Sequence, residues 1–306
     1  MRRRGKMRDE LYEIFRRNFP FIVRAEETVF RILENEDNRT IEKRDEKGNL
    51  IGVSVLNKNT LMLLCVDKEY RNRGIGTELL RASESIVSSG GYDEIVAGAG
   101  DDYLMPGVPT RKRFFDSKNE NLYPDIDEAA SDFFARRGYG HSWKCNCFDM
   151  RFRLEDFRHE RYSIGDTIDG IGYRWAAMAD LQEICSCTDD ACEDFTQWYR
   201  AEMLYREGGS AKVLVAVKGD EVVGTLIVSA ETEGKGLGSV GCTTVKGAYQ
   251  GRHIAVNLVV LGTKYLRDIG LRDAFLGYTY SGLEHLYGYA GYEICVYYMM
   301  AKKTLA

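Results

Sequence analysis

No apolar run in this sequence approaches the roughly 20 residues needed to cross a bilayer. The basic start Met1-Arg2-Arg3-Arg4 leads into Leu11, Ile14 and Phe15 at helical spacing rather than into an apolar signal core, which predicts a soluble, cytoplasmic chain. Charge of one sign is equally scarce. The 42 Lys and Arg and 47 Asp and Glu are mixed along most of the chain and leave a formal net charge of -5. That balance gives no electrostatic footprint for nucleic acid or an anionic membrane, while a cationic small substrate is compatible with it. The eight cysteines (65, 145, 147, 185, 187, 192, 242 and 295) are unevenly spaced, and several fall in apolar strand-like runs such as Leu61 to Val66 and Ile294 to Tyr298. Reduced core thiols are the expectation. Cys185-Ser186-Cys187 with Cys192 lacks the paired C-x2-C spacing of structural zinc sites, and the chain has only four histidines, so no metal is expected.

At 306 residues the chain has room for two domains, each able to bury its own core. Residues 9 to 37 read as helices, and strands follow on either side of a Lys47-Gly48-Asn49 turn. Leu61 to Val66 reads as a buried strand, Gly74 through Val87 as a helix, and Glu94 to Ala97 as a returning strand. The second half repeats this order. Strands are expected at Lys212 to Val217, Val222 to Ser229 and Gly238 to Val245, then a helix from about Ile254 to Asp268 and a strand from about Ala274 to Tyr280. Each half closes on a short helix and a strand: Phe133 to Tyr139 with Trp143 to Phe152, and Leu283 to Tyr292 with Ile294 to Met300. A duplicated domain is the simplest account. Residues 99 to 127 interrupt the repeat and carry three of the four prolines, at 106, 109 and 124. The boundary is expected between about 155 and 171, giving domains 1–160 and 161–306.

The most specific signal is Val66-Asp67-Lys68-Glu69-Tyr70-Arg71-Asn72-Arg73-Gly74-Ile75-Gly76, a strand end feeding through a glycine turn into a helix. Unpaired amides at a helix N-terminus supply the converging donors that a pyrophosphate needs. Glycine lets the backbone approach the anion, and Arg71 and Arg73 can add charge. The spacing is neither that of a P-loop nor that of a dinucleotide fingerprint. The second half carries Val245-Lys246-Gly247-Ala248-Tyr249-Gln250-Gly251-Arg252-His253-Ile254-Ala255 in register, with His253 in place of Gly74. A right-handed helical conformation at this first-turn position would tolerate the imidazole, so weakened binding is expected there rather than none.

Both segments resemble the [RQ]-x-x-G-x-[GA] acetyl-CoA loop of the GNAT superfamily of N-acetyltransferases. The resemblance implies an α/β (α+β) fold of two tandem GNAT-like domains, each a mixed, mostly antiparallel sheet flanked by helices. It also implies acetyl-CoA as cosubstrate, held by Val66 and Arg71 to Gly76 in one half and by Val245 and Gln250 to Ala255 in the other. A further family segment, A-x-x-[LF]-Y-x-x-x-G-[FY], resembles Ala130 to Tyr139 and Leu283 to Tyr292, and its tyrosine position is Phe134 in the first half and Tyr287 in the second.

By this resemblance a neutral amine attacks the thioester, a backbone N–H at the end of Gly238 to Val245 holds the oxyanion, and Tyr287 assists the departing thiolate. Glu231, Glu233, Asp273 and Glu284 are all candidate bases, with no spacing to choose among them. Since Phe134 cannot donate a proton, chemistry is expected in the second domain and CoA binding in both. Across nearly its whole length the chain resembles tandem-GNAT glucosamine and glucosaminide N-acetyltransferases of clostridial type, on Tyr103 to Pro109 and on Gly277 to Gly282 leading to Tyr287. An amino sugar is therefore the implied substrate. Another amine, such as an aminoglycoside or a peptide N-terminus, or a CoA-binding pseudoenzyme, stand as alternatives. Neither nucleic acid nor membrane is expected as a partner, and a homodimer is compatible with the sequence.

Overall fold

The computed structural model describes residues 2–98, 103–114, 122, 126–127, 129–205, 211–231 and 233–305. Part of the 99 to 127 segment, Pro124 included, lies outside the described residues. The chain divides into two units. The first holds Met1–Ser117, Leu122–Phe148 and Val296–Ala306, and the second holds Asp149–Cys295. This division falls earlier than the expected 160/161, and the last residues return to the first unit.

The first unit opens on helices α1 (Arg2–Asn18) and α2 (Glu26–Leu33), then strands β1 (Arg39–Arg44), β2 (Leu50–Asn57) and β3 (Thr60–Val66). Helix α3 (Ile75–Ser89), strands β4 (Glu94–Ala97) and β5 (Val108–Thr110), helix α4 (Ala129–Ala135) and strand β6 (Gly140–His141) follow. Strand β7 (Cys147–Arg153) carries the chain into the second unit. There it forms β8 (Thr167–Ile168), β9 (Ile171–Trp175), α5 (Leu181–Ala191), α6 (Thr196–Tyr205), β10 (Ala211–Lys218), β11 (Glu221–Ala230) and β12 (Leu237–Val245). Helix α7 (Ile254–Asp268), strand β13 (Asp273–Tyr280) and helix α8 (Glu284–Ala290) complete it; strand β14 (Glu293–Met299) carries the chain back to the first unit at Val296, and β15 (Ala301–Thr304) lies in the first unit.

The first unit's sheet has the order β1-β2-β3-β4-β15-β6. Neighbours are antiparallel except β3 and β4, whose parallel pairing is confined to Thr60↔Val96 and Leu61↔Ala97. In the second unit the order runs β13-β12-β11-β10-β9-β8, and the one parallel pair, β12 with β13, is confined to Leu237↔Asp273 and Gly238↔Ala274. In both units, therefore, two strands start paired and then part.

The same packing joint sets the helix against the sheet in each unit. Gly52, opposite Val66, has Ile75 and Leu79 of α3 over it, and a Cβ there would stand 3.2 Å from the Ile75 side chain. Gly224, opposite Val245, has Ile254 and Leu258 of α7 over it, at 2.9 Å from Ile254. Glycine at each site lets the helix start come down onto the strand that feeds the turn, and this fixes where the turn's amides point. Strand β2 is buried on both faces from Leu50 through Leu56, as expected for a strand with helices above and below.

Candidate active site

Each unit carries the same turn between strand and helix. Val66 ends β3 and Val245 ends β12; a single 3-10 turn follows, at Lys68–Tyr70 or Gly247–Tyr249, and then comes the helix. Asn72 (φ 60) and Gly74 (φ 86) are left-handed in the first loop, as are Gly251 (φ 75) and His253 (φ 59) in the second. Arg73 lies over the Tyr70 ring and Arg252 over the Tyr249 ring, both at 5.3 Å. No side chain caps α3 or α7. Intrahelical bonding begins with Glu78 N–H to Gly74 C=O and Asn257 N–H to His253 C=O, so the amides of Ile75, Gly76 and Thr77, and of Ile254, Ala255 and Val256, precede the first helical bond. With the helix dipole behind them, they have the charge and the free donors that suit an anion.

Two details differ from the sequence reading. His253 is left-handed, not right-handed, so the position does demand what glycine gives freely, and the imidazole-bearing residue meets that demand at a cost of about 1 kcal/mol. Arg71 is largely committed to the protein itself. Its Nε donates to the Val66 carbonyl at 2.8 Å, one terminal nitrogen to Asn18 at 2.8 Å and the other to Asp127. It braces the loop against the end of α1. The corresponding Gln250 and its neighbour Gly251 are exposed.

Strand β12 holds a bulge that β3 lacks at the matching place. Thr225 faces Thr244 and Ile227 faces Gly241, which leaves Cys242 and Thr243 opposite Leu226 alone, with Cys242 at φ 52. In the first unit Gly52 to Val55 face Val66 to Leu63 without interruption, and the register slips only at Met62. Tyr287, on α8, is buried with its hydroxyl 3.5 Å from Thr243 Oγ1. Burial pushes its phenol up to about 12, a rise that the Thr243 hydroxyl opposes. Tyr199 of α6, which the sequence reading missed, is fully buried and donates its hydroxyl to the Cys242 carbonyl at 2.6 Å. Tyr278, in β13, is left-handed at φ 58, and its N–H is received by the buried Asp149 carboxylate at 2.9 Å. Cys242, His253 and Tyr278 thus concentrate non-glycine backbone strain around the parted strands of the second unit, a pattern typical of functional sites.

The first unit has the cavity but not the hydroxyl. A space of about 490 Å³ opens from Asn72, Gly74 and Gly76 along Leu64, Cys65 and Val66 to Phe133 and Phe134. Phe134 occupies the place of Tyr287 and packs edge-on against Phe133 and Tyr139. The cavity wall formed by Asn18, Phe19 and Phe21 carried no sequence signal, because nothing local to α1 marks it as facing the loop.

The candidate bases separate by their surroundings. Asp273 is buried; burial alone would raise its carboxyl, but hydrogen bonds from Arg272 and Arg151 outweigh that and hold it below its ordinary value. Glu284 is buried and accepts the Gly282 N–H at 2.5 Å, which ties it to the start of α8. Glu231 (φ 56) and Glu233 lie in the turn between β11 and β12, where Glu231 accepts the Gly236 N–H at 3.4 Å. Of the two segments that carried the amino-sugar resemblance, Leu104 to Thr110 is buried, while Tyr280 is 44% exposed. Among the described residues no group of three or more His, Cys, Asp or Glu is placed to hold a metal ion, and no helix is long and apolar enough to cross a membrane.

Residues 8–104 match the family model described as "Acetyltransferase (GNAT) family". A comparison of the sequence with curated proteins finds no match. Among solved structures, the chain is similar to a GCN5-related glucosamine N-acetyltransferase region in a fungal multi-domain GH3 beta-N-acetylglucosaminidase, with TM-score 0.72 and 19% identity over 97% of this chain. It spans 37% of that longer chain. It is also similar to a tandem GNAT protein from the clavulanic acid biosynthesis pathway, with TM-score 0.70 and 14% identity over 99% of this chain and 96% of the other. A GCN5-related N-acetyltransferase from Sphaerobacter thermophilus gives TM-score 0.68 and 17% identity, over 97% and 92% of the two chains. The chain thus has the fold of tandem GNAT proteins, and its residues 8–104 match the model of the acetyltransferase (GNAT) family, a family that uses acetyl-CoA.

Proposed function

We propose that this chain transfers an acetyl group from acetyl-CoA to the primary amine of an amino sugar, and that the chemistry takes place in the second unit. The observation that carries the assignment is the Tyr287 hydroxyl beside the bulged β12, where the first unit has Phe134 and no bulge at the matching place. The amine nitrogen attacks the thioester carbon, and the Thr243 N–H at the bulge stabilises the oxyanion. On collapse the C–S bond breaks and its electron pair stays on sulfur. The nitrogen loses one proton to solvent, and the thiolate leaves hydrogen-bonded to Tyr287 and takes its proton from solvent, so the phenol keeps its own. With the phenol raised to about 12, donation to a thiolate of ordinary pKa about 8.5 is uphill by about 5 kcal/mol if the proton is fully transferred. Tyr287 therefore acts chiefly as a hydrogen-bond donor that tightens as charge builds on sulfur, a contribution at or somewhat below the usual range of general acids.

The amino sugar rests on the residues Tyr103 to Pro109 and Gly277 to Gly282 and on the likeness to a glucosamine N-acetyltransferase region. An amine beside sugar oxygens is less basic than a lysine amine and is partly neutral at physiological pH, so it needs no strong base. This suits a chain whose buried candidate bases Asp273 and Glu284 are tied into local structure. Steady-state kinetics with glucosamine, an aminoglycoside and a lysine-containing peptide test both parts. Glucosamine should give the highest kcat/KM; a clear win for the peptide would overturn the substrate and leave the reaction class. Tyr287→Phe should lower kcat by roughly tenfold with little change in acetyl-CoA KM, and Phe134→Tyr should leave kcat unchanged. A silent Tyr287→Phe, with turnover abolished by Gly74→Glu, would put the chemistry in the first unit.

A further inference from the structure

A left-handed residue inside a strand has to be held there, and what holds Cys242 is a side chain from a different element. Tyr199 lies on α6, whose next-door Trp198 is 56% exposed, yet Tyr199 itself is fully buried with Ile184, Cys187, Val213, Val215, Val222 and Ile227. Its ring is thus fixed by the core, and its hydroxyl reaches the Cys242 carbonyl at 2.6 Å. The Thr225 hydroxyl hydrogen-bonds to Tyr199 as well, and also meets Thr244 Oγ1 at 2.5 Å, so the tyrosine oxygen is braced from the neighbouring strand.

The Cys242 carbonyl and the Thr243 N–H belong to one peptide plane. In a trans peptide they point in opposite directions, so gripping the oxygen aims the N–H away from Tyr199. We propose that Tyr199 is a positioning residue: by holding the Cys242 carbonyl it locks the β12 bulge and sets the direction of the Thr243 N–H that receives the oxyanion. Tyr199 does not itself donate to the substrate, since its proton is committed to the carbonyl. The inference rests on the second unit being the catalytic one.

Tyr199→Phe keeps the ring in the core and removes only the grip. Its kcat should fall about tenfold, with acetyl-CoA KM within about twofold of the parent, a smaller loss than the roughly 100- to 1000-fold that follows outright removal of an oxyanion donor, because the N–H is misaimed and not removed. Because the lesion is conformational, adding Cys242→Gly should restore part of the lost kcat, since glycine enters the left-handed region freely. A purely structural role would lower thermal stability without this split between kcat and KM and without rescue. Should Tyr199→Phe not fold, Thr225→Val removes the brace and should lower kcat in the same direction at unchanged KM. Unchanged kcat in Tyr199→Phe (or in Thr225→Val, where that replaces it), in an enzyme that Tyr287→Phe does slow, overturns the role of Tyr199 and leaves the second-unit site standing. If Tyr287→Phe is silent as well, the second-unit reading fails and this inference falls with it.

Discussion

His253 shows how one residue can shift the balance between binding and stability. The left-handed conformation costs it about 1 kcal/mol relative to glycine, and a side chain here narrows the backbone approach that glycine leaves open to an anion. Glycine would remove both obstacles, but it would also add about 0.4–1 kcal/mol of unfolded-chain entropy, so the two stability effects nearly cancel. His253→Gly is therefore expected to lower acetyl-CoA KM severalfold while moving Tm by no more than a few degrees. Kinetics and a thermal melt check both numbers. A rise in KM would mean instead that the imidazole itself contacts a phosphate oxygen.

At the scale of elements, the strand, turn and helix of each unit repeat as a separable module. The two copies agree in the left-handed positions, in the stacked arginine over tyrosine and in the glycine beneath the helix start. Two CoA molecules per chain are accordingly expected by titration calorimetry. Gly74→Glu should remove one of them: the residue has φ 86, which a side chain adopts only with strain, and the new carboxylate would occupy the phosphate position with the wrong charge. The remaining site should keep its enthalpy and affinity. Complete loss of binding in Gly74→Glu would show that the loop at His253 holds no CoA.

For the whole molecule, the return of the chain's end to the first unit has a measurable consequence. Strand β15 pairs with β4 from Ala301↔Ala97 to Thr304↔Glu94 and with β6 through Ala301↔His141 and Lys302↔Gly140. Its removal would leave β4 and β6 without a partner between them, and the exposed N–H and C=O groups would have no ladder. A chain ending at Met300 should thus lose CoA binding in the first unit while the second unit retains its own, as read by the same titration. Alkaline stability gives a second test. Burial raises the phenols of Tyr139, Tyr173, Tyr199, Tyr287 and Tyr292, Tyr287 to about 12. A raised folded value means that the stability these residues contribute is complete below the unfolded pKa of about 10 and is lost as pH climbs through the folded values. Absorbance at the phenolate band should therefore still be rising well above pH 10 as these buried tyrosines ionise, together with loss of far-ultraviolet circular dichroism.

Local pattern was enough to write down most of the elements. Periodicity marked Ile254 to Asp268 as the helix it is, apolar alternation and turns marked β10 to β13, and two loops in register revealed the duplication. Tyr287 was singled out by the resemblance of Leu283 to Tyr292 to a family segment, not by periodicity, and it lies buried on α8. The return of Ala301–Thr304 to the first sheet was not legible, because a four-residue strand says nothing about which distant edge it will join. Nor was the grip of Tyr199 on Cys242, since 43 residues separate them and neither stands in a telling context. The left-handed state of His253 was misread because the sequence gives the residue and not its φ. The sequence by itself determined the duplicated scaffold, through short-range periodicity and the matched spacing of the two loops. The tertiary structure decided where the backbone is strained and what holds it there, because only folding brings a tyrosine hydroxyl and a bulged carbonyl to 2.6 Å.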